Sequence, residues 1–366
     1  MHFPHLGTPK DQLDTPALLI DLAALEANIS QAAAMCRQHG VAWRPHAKCH
    51  KSPDIARRLL EAGAIGLTCA KLSEAEAFAA AGIADLLIAN YVVGPRKVER
   101  LVGLTRRANP IVCFDHIDQA EPISQAMTAA GQRVRAILEV DIGMQRCGVA
   151  PGKPALELAQ KIAALPGIEL AGVMGYEGHL LLIENQGEKA ARVCAALEQL
   201  VETKHRIERA GIACPIVSCG GTGSLPFAVQ QPSITEVQAG GVIFMDAFYR
   251  LHCRLEGFRY ALSILATVVG RPAPERAIID AGRKTMNMEL QMPLVMDRPG
   301  IDIERLSAEH GILKLSPAAQ DLKIGDRLEL IPGYGDFTTV LHNQFYVLDE
   351  GKLVDIWPLT ARGRLT

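Results

Sequence analysis

The segment Arg44-Pro45-His46-Ala47-Lys48-Cys49-His50-Lys51 sets one lysine among other cations and imidazoles. It follows a short apolar run, Val41-Ala42-Trp43, and precedes a helix expected to begin near Ser52-Pro53, so Lys48 belongs at the end of a strand. Surrounding positive charge disfavours the ammonium form, and a lowered pKa leaves the free amine that condenses with a carbonyl. The same residues also read as a basic surface turn. The rest of the chain decides between the two.

A second candidate is the loop Gly220-Gly221-Thr222-Gly223-Ser224, with the pair Gly240-Gly241 further on. Glycines let backbone N–H groups approach an anion, Thr222 and Ser224 add hydroxyl donors, and the short helical pattern that follows contributes its dipole. One such loop alone is more often a tight turn. In Asp141-Ile142-Gly143-Met144-Gln145-Arg146-Cys147-Gly148, Arg146 can hydrogen-bond an oxyanion or tie down its own loop by a salt bridge. Tyr176 offers an aromatic floor. His179 is either an acid/base group beside it or a satisfied core histidine.

These residues need a frame to hold them. Apolar runs recur at 41–46, 65–70, 85–91, 111–115, 136–142, 170–176, 215–219 and 234–242, with amphipathic stretches between them such as 54–62, 96–108 and 189–210. The alternation predicts parallel strands with crossover helices, and eight repeats close a (β/α)8 TIM-type barrel over 22–250. An open doubly wound sheet would need a Gly-rich turn after its first strand, where Lys48 stands instead. Beyond Leu251 the segments 263–269, 277–280, 327–331, 338–347 and 352–357 read as strands with little helix. A C-terminal antiparallel β domain over 251–366 is expected, joined by residues 1–21 through the leading strand at 17–21. In a barrel the C-terminal strand ends share one face, and phosphate commonly sits after strands seven and eight. Both glycine loops fall there, opposite Lys48. A reactive lysine facing a phosphate site points to pyridoxal 5'-phosphate, joined to Lys48 as a Schiff base with Arg146 at its phenolate oxygen.

The 366 residues are 49% hydrophobic with a net charge of -2, as in an ordinary globular chain of one large domain and one smaller. That balance gives no reason to expect nucleic acid or an acidic membrane as partner. No apolar run nears the roughly 20 residues of a membrane span. Met1-His2-Phe3-Pro4-His5 lacks the plan of a signal peptide. The nine cysteines include no C-x-x-C pair and read as reduced thiols of a cytoplasmic protein.

The lysine motif, Asp14-Thr15-Pro16, Arg146-Cys147-Gly148-Val149, Tyr176, the 220–224 loop, Phe244-Met245-Asp246, Asp280-Ala281-Gly282, Glu309-His310-Gly311 and the 332–336 stretch together carry a family resemblance. The chain resembles the D-threonine aldolase / D-serine dehydratase group of the alanine-racemase-like, fold-type III pyridoxal-phosphate enzymes. The resemblance implies Lys48 as the Schiff-base residue, Arg146 at the cofactor oxygen and Tyr176 along the ring. It implies Thr222, Gly223, Ser224, Gly240 and Gly241 around the phosphate. It also implies a homodimer in which the β domain of one subunit helps close the other's site.

Two departures stand out. The group usually has a metal pair of histidine, one residue, then aspartate or cysteine. This chain reads Pro332-Gly333-Tyr334-Gly335-Asp336, leaving Asp336 and Tyr334 as candidate ligands for a hard divalent ion such as magnesium, manganese or calcium. Leu180-Leu181-Leu182 stands where the aldolases carry a histidine. His179, His342 and Tyr334 are the substitutes at hand for handling the substrate's β-hydroxyl. The leading expectation is an aldolase-type lyase whose small-molecule substrates are D-3-hydroxy amino acids, giving glycine and an aldehyde. The alternatives are dehydration of D-serine or 3-hydroxyaspartate to a 2-oxo acid and ammonia, racemisation, or a non-catalytic carrier of the cofactor.

Overall fold

In the computed structural model, residues 4–366 are described, so the start of the N-terminal segment read above, residues 1–3, lies outside the described residues. The first strand, β1 (Ala17–Asp21), belongs to a sheet taken up below. The next eight strands form a parallel sheet: β2 (Ala42–Trp43), β3 (Leu67–Cys69), β4 (Asp85–Ile88), β5 (Asn109–Phe114), β6 (Val134–Glu139), β7 (Ile168–Met174), β8 (Ile216–Cys219) and β9 (Glu236–Val237). They pair in the order β2-β9-β8-β7-β6-β5-β4-β3. A parallel bridge between His46 and Thr68, with the Thr68 N–H on the Pro45 carbonyl at 3.0 Å, joins the two end strands. The sheet closes as the (β/α)8 barrel that the alternation predicts. Its strands are short and apolar on both faces, because helices cover one side and barrel side chains fill the other.

The helices are α1 (Leu22–Gln38), α2 (Pro53–Glu61), α3 (Leu72–Ala80), α4 (Pro95–Leu104), α5 (Ile117–Ala129), α6 (Lys153–Ala163), α7 (Gln186–Arg209) and the single-turn α8 (Leu225–Ala228). Their starts follow local chemistry. Pro53 sits in the first turn of α2, and the Asn185 side chain accepts the Glu188 N–H at 3.0 Å to cap α7. Leu87, Ile111, Cys113, Ile137 and Met174, from four neighbouring strands, pack as one buried cluster. Arg44 is buried in the same barrel, its Nε 3.0 Å from Glu236 and its Nη1 2.6 Å from Asp85, so one guanidinium ties β2, β9 and β4 together.

The second sheet uses β1 with β10 (Leu262–Ala273), β11 (Arg276–Ile279), β12 (Leu294–Val295), β13 (Ile301–Leu306), β14 (Gly311–Leu315), β15 (Arg327–Ile331), β16 (Gln344–Asp349) and β17 (Lys352–Pro358). Every pairing is antiparallel except β1 with β16. The leading strand thus lies between β10 and β16, inside the C-terminal domain's sheet, as expected. Two short helices, α9 (Ala247–Leu251) and α10 (Gly335–Thr339), complete this part. Among the described residues, one compact unit holds 32–240 with 363–366, and the other holds 4–31 with 241–362.

Two expected strands differ. Thr338 and Thr339 end α10 instead of starting a strand, because the Thr338 hydroxyl folds back onto the Tyr334 carbonyl at 3.0 Å. The run 234–242 keeps only two strand residues, since Gly241 opens a 3-10 turn, Gly241–Ile243.

Candidate active site

Lys48 lies in a 3-10 turn, Ala47–Cys49, that continues the line of β2. The Arg44 N–H reaches the Val237 carbonyl and the His46 N–H the Gln238 carbonyl, each at 3.0 Å, so this turn rides on the end of β9. The His46 imidazole caps it, its Nδ1 accepting the Lys48 N–H at 3.3 Å. Burial, with help from the Lys48 and Lys51 charges, holds His46 well below its ordinary pKa. His50 is wholly buried against Phe78, takes the Ser52 N–H on Nδ1 at 3.1 Å, and is pushed down to about 3 by that burial.

The local charge differs from the expectation. Lys51 pairs with the fully buried Glu74, and Arg44 pairs with Glu236 and Asp85. Both imidazoles are neutral. The cations flanking Lys48 are therefore matched by carboxylates, and a ring of uncompensated positive charge is not what surrounds this amine.

The other sequence candidates sit at neighbouring strand ends. Gly220 to Ser224 follows β8, which pairs with β9. Ser224 is fully buried, its Oγ engaged with Glu177 and 3.1 Å from the Gly221 N–H. Among the described residues none accepts a hydrogen bond from the N–H groups of Thr222, Gly223 or Gly240. Gly240 presses on the lysine turn, where an added Cβ would stand 2.2 Å from the His46 carbonyl oxygen. Tyr176 follows β7. Its ring lies between two glycines: a Cβ on Gly178 would be 2.3 Å from Cε1, and one on Gly221 3.0 Å from Cε2. Arg146 follows β6, exposed, with its guanidinium 5.7 Å from the centre of the Tyr176 ring and 3.7 Å from Glu139.

His179 is exposed rather than a core histidine. It lies on the arginine loop, where a Cβ at Gly143 would meet its Nε2 at 2.8 Å. Burial of part of the ring, then the Arg192 charge, lower its pKa. The sequence reading missed Glu177, beside Tyr176, a carboxyl with no exposure at all. It also missed Asp115, which takes the Tyr91 hydroxyl at 2.7 Å and the Gly148 N–H at 2.9 Å and so fixes the arginine loop. Neither residue lies in a recognisable spacing.

The metal candidates lie in the other unit. The Tyr334 hydroxyl donates to Asp336 at 3.1 Å, and its ring packs against Phe248, Tyr249 and Phe337. His342 bonds the Thr285 carbonyl at 2.7 Å. Among the described residues no group of three or more His, Cys, Asp or Glu side chains could hold a metal ion. A phenol hydrogen-bonded to a carboxylate is a poor ligand for a hard divalent ion unless it is deprotonated.

Residues 20–247 match the family model for the alanine racemase N-terminal domain, and 261–348 that for a putative serine dehydratase domain. The chain belongs to the alanine-racemase-like family. It is 41% identical to the D-threonine aldolase of an Arthrobacter species, over 98% of this chain and 95% of that one. The 3-hydroxy-D-aspartate aldolase of Paracoccus denitrificans (strain Pd 1222) is 35% identical over 98% of this chain and 94% of its own. The crystal structure of D-threonine aldolase from Filomicrobium marinum superposes with a TM-score of 0.96 at 37% identity, covering 99% of this chain and 100% of that one. Within the family the chain falls in the D-threonine aldolase / D-serine dehydratase group, and it is an enzyme. This alanine-racemase-like family implies pyridoxal phosphate. The residues present fit that cofactor: uncommitted N–H donors on the glycine loop after β8 suit its phosphate, and the Lys48 turn follows β2, with only β9 between the two strands.

Proposed function

We propose that this enzyme is a pyridoxal-phosphate-dependent lyase that cleaves D-3-hydroxy amino acids by aldol fission, releasing glycine and an aldehyde. One observation carries the reading. The consecutive strands β6, β7, β8, β9 and β2 bring Arg146, Tyr176, the N–H groups of Thr222 and Gly223, Gly240 and Lys48 to one rim, in a chain 41% identical to a D-threonine aldolase.

Lys48 would hold the cofactor and would supply an amine, able to carry a proton, at the same strand end. Thr222, Gly223, Gly240 and Gly241 receive the phosphate, with Ser224 shaping the loop from behind. Arg146 offers its guanidinium to the ring oxygen, and Tyr176 lines the ring. Bound pyridoxal phosphate supplies the electron sink that carbon–carbon cleavage requires. Exposed, and held neutral by its lowered pKa, His179 can accept the β-hydroxyl proton whose loss starts the fission. We place cofactor binding in the barrel domain, 22–250, and site closure in the β domain, 1–21 with 251–366, of the partner in a homodimer. The nine cysteines, with no C-x-x-C pair among them, suit a reducing compartment, and we place the enzyme in the cytoplasm. Among the described residues no helix is long and apolar enough to cross a membrane.

The test is product analysis with D-threonine. Glycine and acetaldehyde are expected. A 2-oxo acid with ammonia would make the enzyme a dehydratase, and L-isomers would make it a racemase; either result overturns the reading.

A further inference from the structure

Behind the glycine loop stands a carboxyl that the mechanism leaves unused. Glu177 and Ser224 are both 0% exposed. The Ser224 Oγ hydrogen-bonds the Glu177 Oε1, lies 3.1 Å from the Gly221 N–H, and lies 3.3 Å from the Gly221 carbonyl. The Glu177 Oε2 is buried without a partner.

A serine hydroxyl has one proton and two lone pairs, so these contacts can be assigned. If Glu177 were ionised, Ser224 would give it that proton. The Gly221 carbonyl would then keep only the Ser224 backbone N–H, at 3.2 Å, and a buried anionic oxygen, Oε2, would lack a hydrogen bond of its own, which is expensive. With a proton on Oε1 every contact is used. Glu177 donates to Ser224, the Gly221 N–H donates to Ser224, and Ser224 donates to the Gly221 carbonyl. The orphaned Oε2 is then only a neutral carbonyl oxygen. A dianionic phosphate in front of the loop favours the same state, because a carboxylate behind it would repel the ligand.

We propose that Glu177 is a positioning residue held protonated behind the anion loop, and that its ionisation in alkali loosens the grip on the cofactor phosphate. This rests on the phosphate reading above. Burial raises its pKa, opposed by the Ser224 hydroxyl and by the N–H groups of Glu177 and Gly220. The titratable groups facing it agree. The Cys219 thiol is pushed well up, chiefly by burial, so it stays neutral, and Glu236 is itself matched by Arg44.

The experiment measures the dissociation constants of pyridoxal phosphate and of pyridoxal, which lacks the phosphate, from neutral to alkaline pH. It uses the full-length wild type, Glu177→Gln and Ser224→Ala. In the wild type the phosphate advantage, the ratio of the two constants, should shrink roughly tenfold as pH rises. Glu177→Gln, whose amide N–H replaces the acid's O–H, should keep the neutral-pH advantage and hold it flat. Ser224→Ala should reduce the advantage at every pH. Identical profiles in wild type and Glu177→Gln, or a Glu177→Gln that loses the advantage already at neutral pH, would overturn the proposal. Should the glutamine variant not fold, the wild-type ratio alone decides, because a pH-independent advantage refutes a titrating carboxyl. Equal affinity for the two ligands at neutral pH would instead remove the phosphate from this loop, and both readings would fall.

Discussion

Gly240→Ala tests whether the lysine turn is held by close backbone packing. The added Cβ would stand 2.2 Å from the His46 carbonyl oxygen and 2.9 Å from its nitrogen, both main-chain atoms. Gly240 needs no left-handed conformation, so the whole effect is steric. A carbon and an oxygen normally keep roughly 3.3 Å apart, which means the 46–48 turn must retreat by about 1 Å. Overpacking of this kind costs about 1–3 kcal/mol. Lys48 is two residues from the displaced carbonyl, so much of that cost should appear in cofactor binding, as a loss of roughly 5- to 150-fold in affinity. The assay is a cofactor titration by absorbance, beside a thermal melt to gauge the loss of fold stability. A variant with wild-type affinity and an unchanged melt would refute the packing argument.

Glu236→Ala leaves the buried Arg44 with only the half-exposed Asp85, and should cost about 3 kcal/mol in denaturant unfolding. Arg209→Ala, which breaks an exposed, solvent-screened pair with Glu202, should leave the denaturant unfolding midpoint where it is. His50 stays neutral when folded but takes a proton below about 6.5 when unfolded, so stability should fall as pH drops from there toward about 3. The loss should be on the order of 4 kcal/mol, and His50→Gln should flatten that slope in acid melts. Turnover of D-threonine should survive exhaustive chelation, given the engaged Tyr334 and Asp336; activity that vanishes and returns with manganese would contradict this.

Much of the architecture was legible because barrel strands announce themselves as apolar runs at regular spacing. Even the detached strand Ala17–Asp21 was assignable, since eight other runs already complete the barrel. Short strands were harder. Ile301–Leu306 alternates charged and apolar residues around a register shift, and Leu294–Val295 has only two residues to show. The candidate site was readable where glycines and a lysine mark strand ends. Its charge balance was not: Glu74, Asp85 and Glu236 lie 23 to 192 residues from the cations they match. Glu177 and Asp115 were invisible for the same reason, as their roles come from hydrogen bonds across neighbouring strand ends.

Everything proposed for the site depends on Lys48 carrying the cofactor. Borohydride reduction of the yellow protein, followed by digestion and mass analysis, locates the reducible link. The account predicts a pyridoxyl phosphate group on Lys48 alone, and no fixed colour in Lys48→Ala. A modified peptide containing another lysine, or a Lys48→Ala protein that still fixes the cofactor at full occupancy, would contradict it.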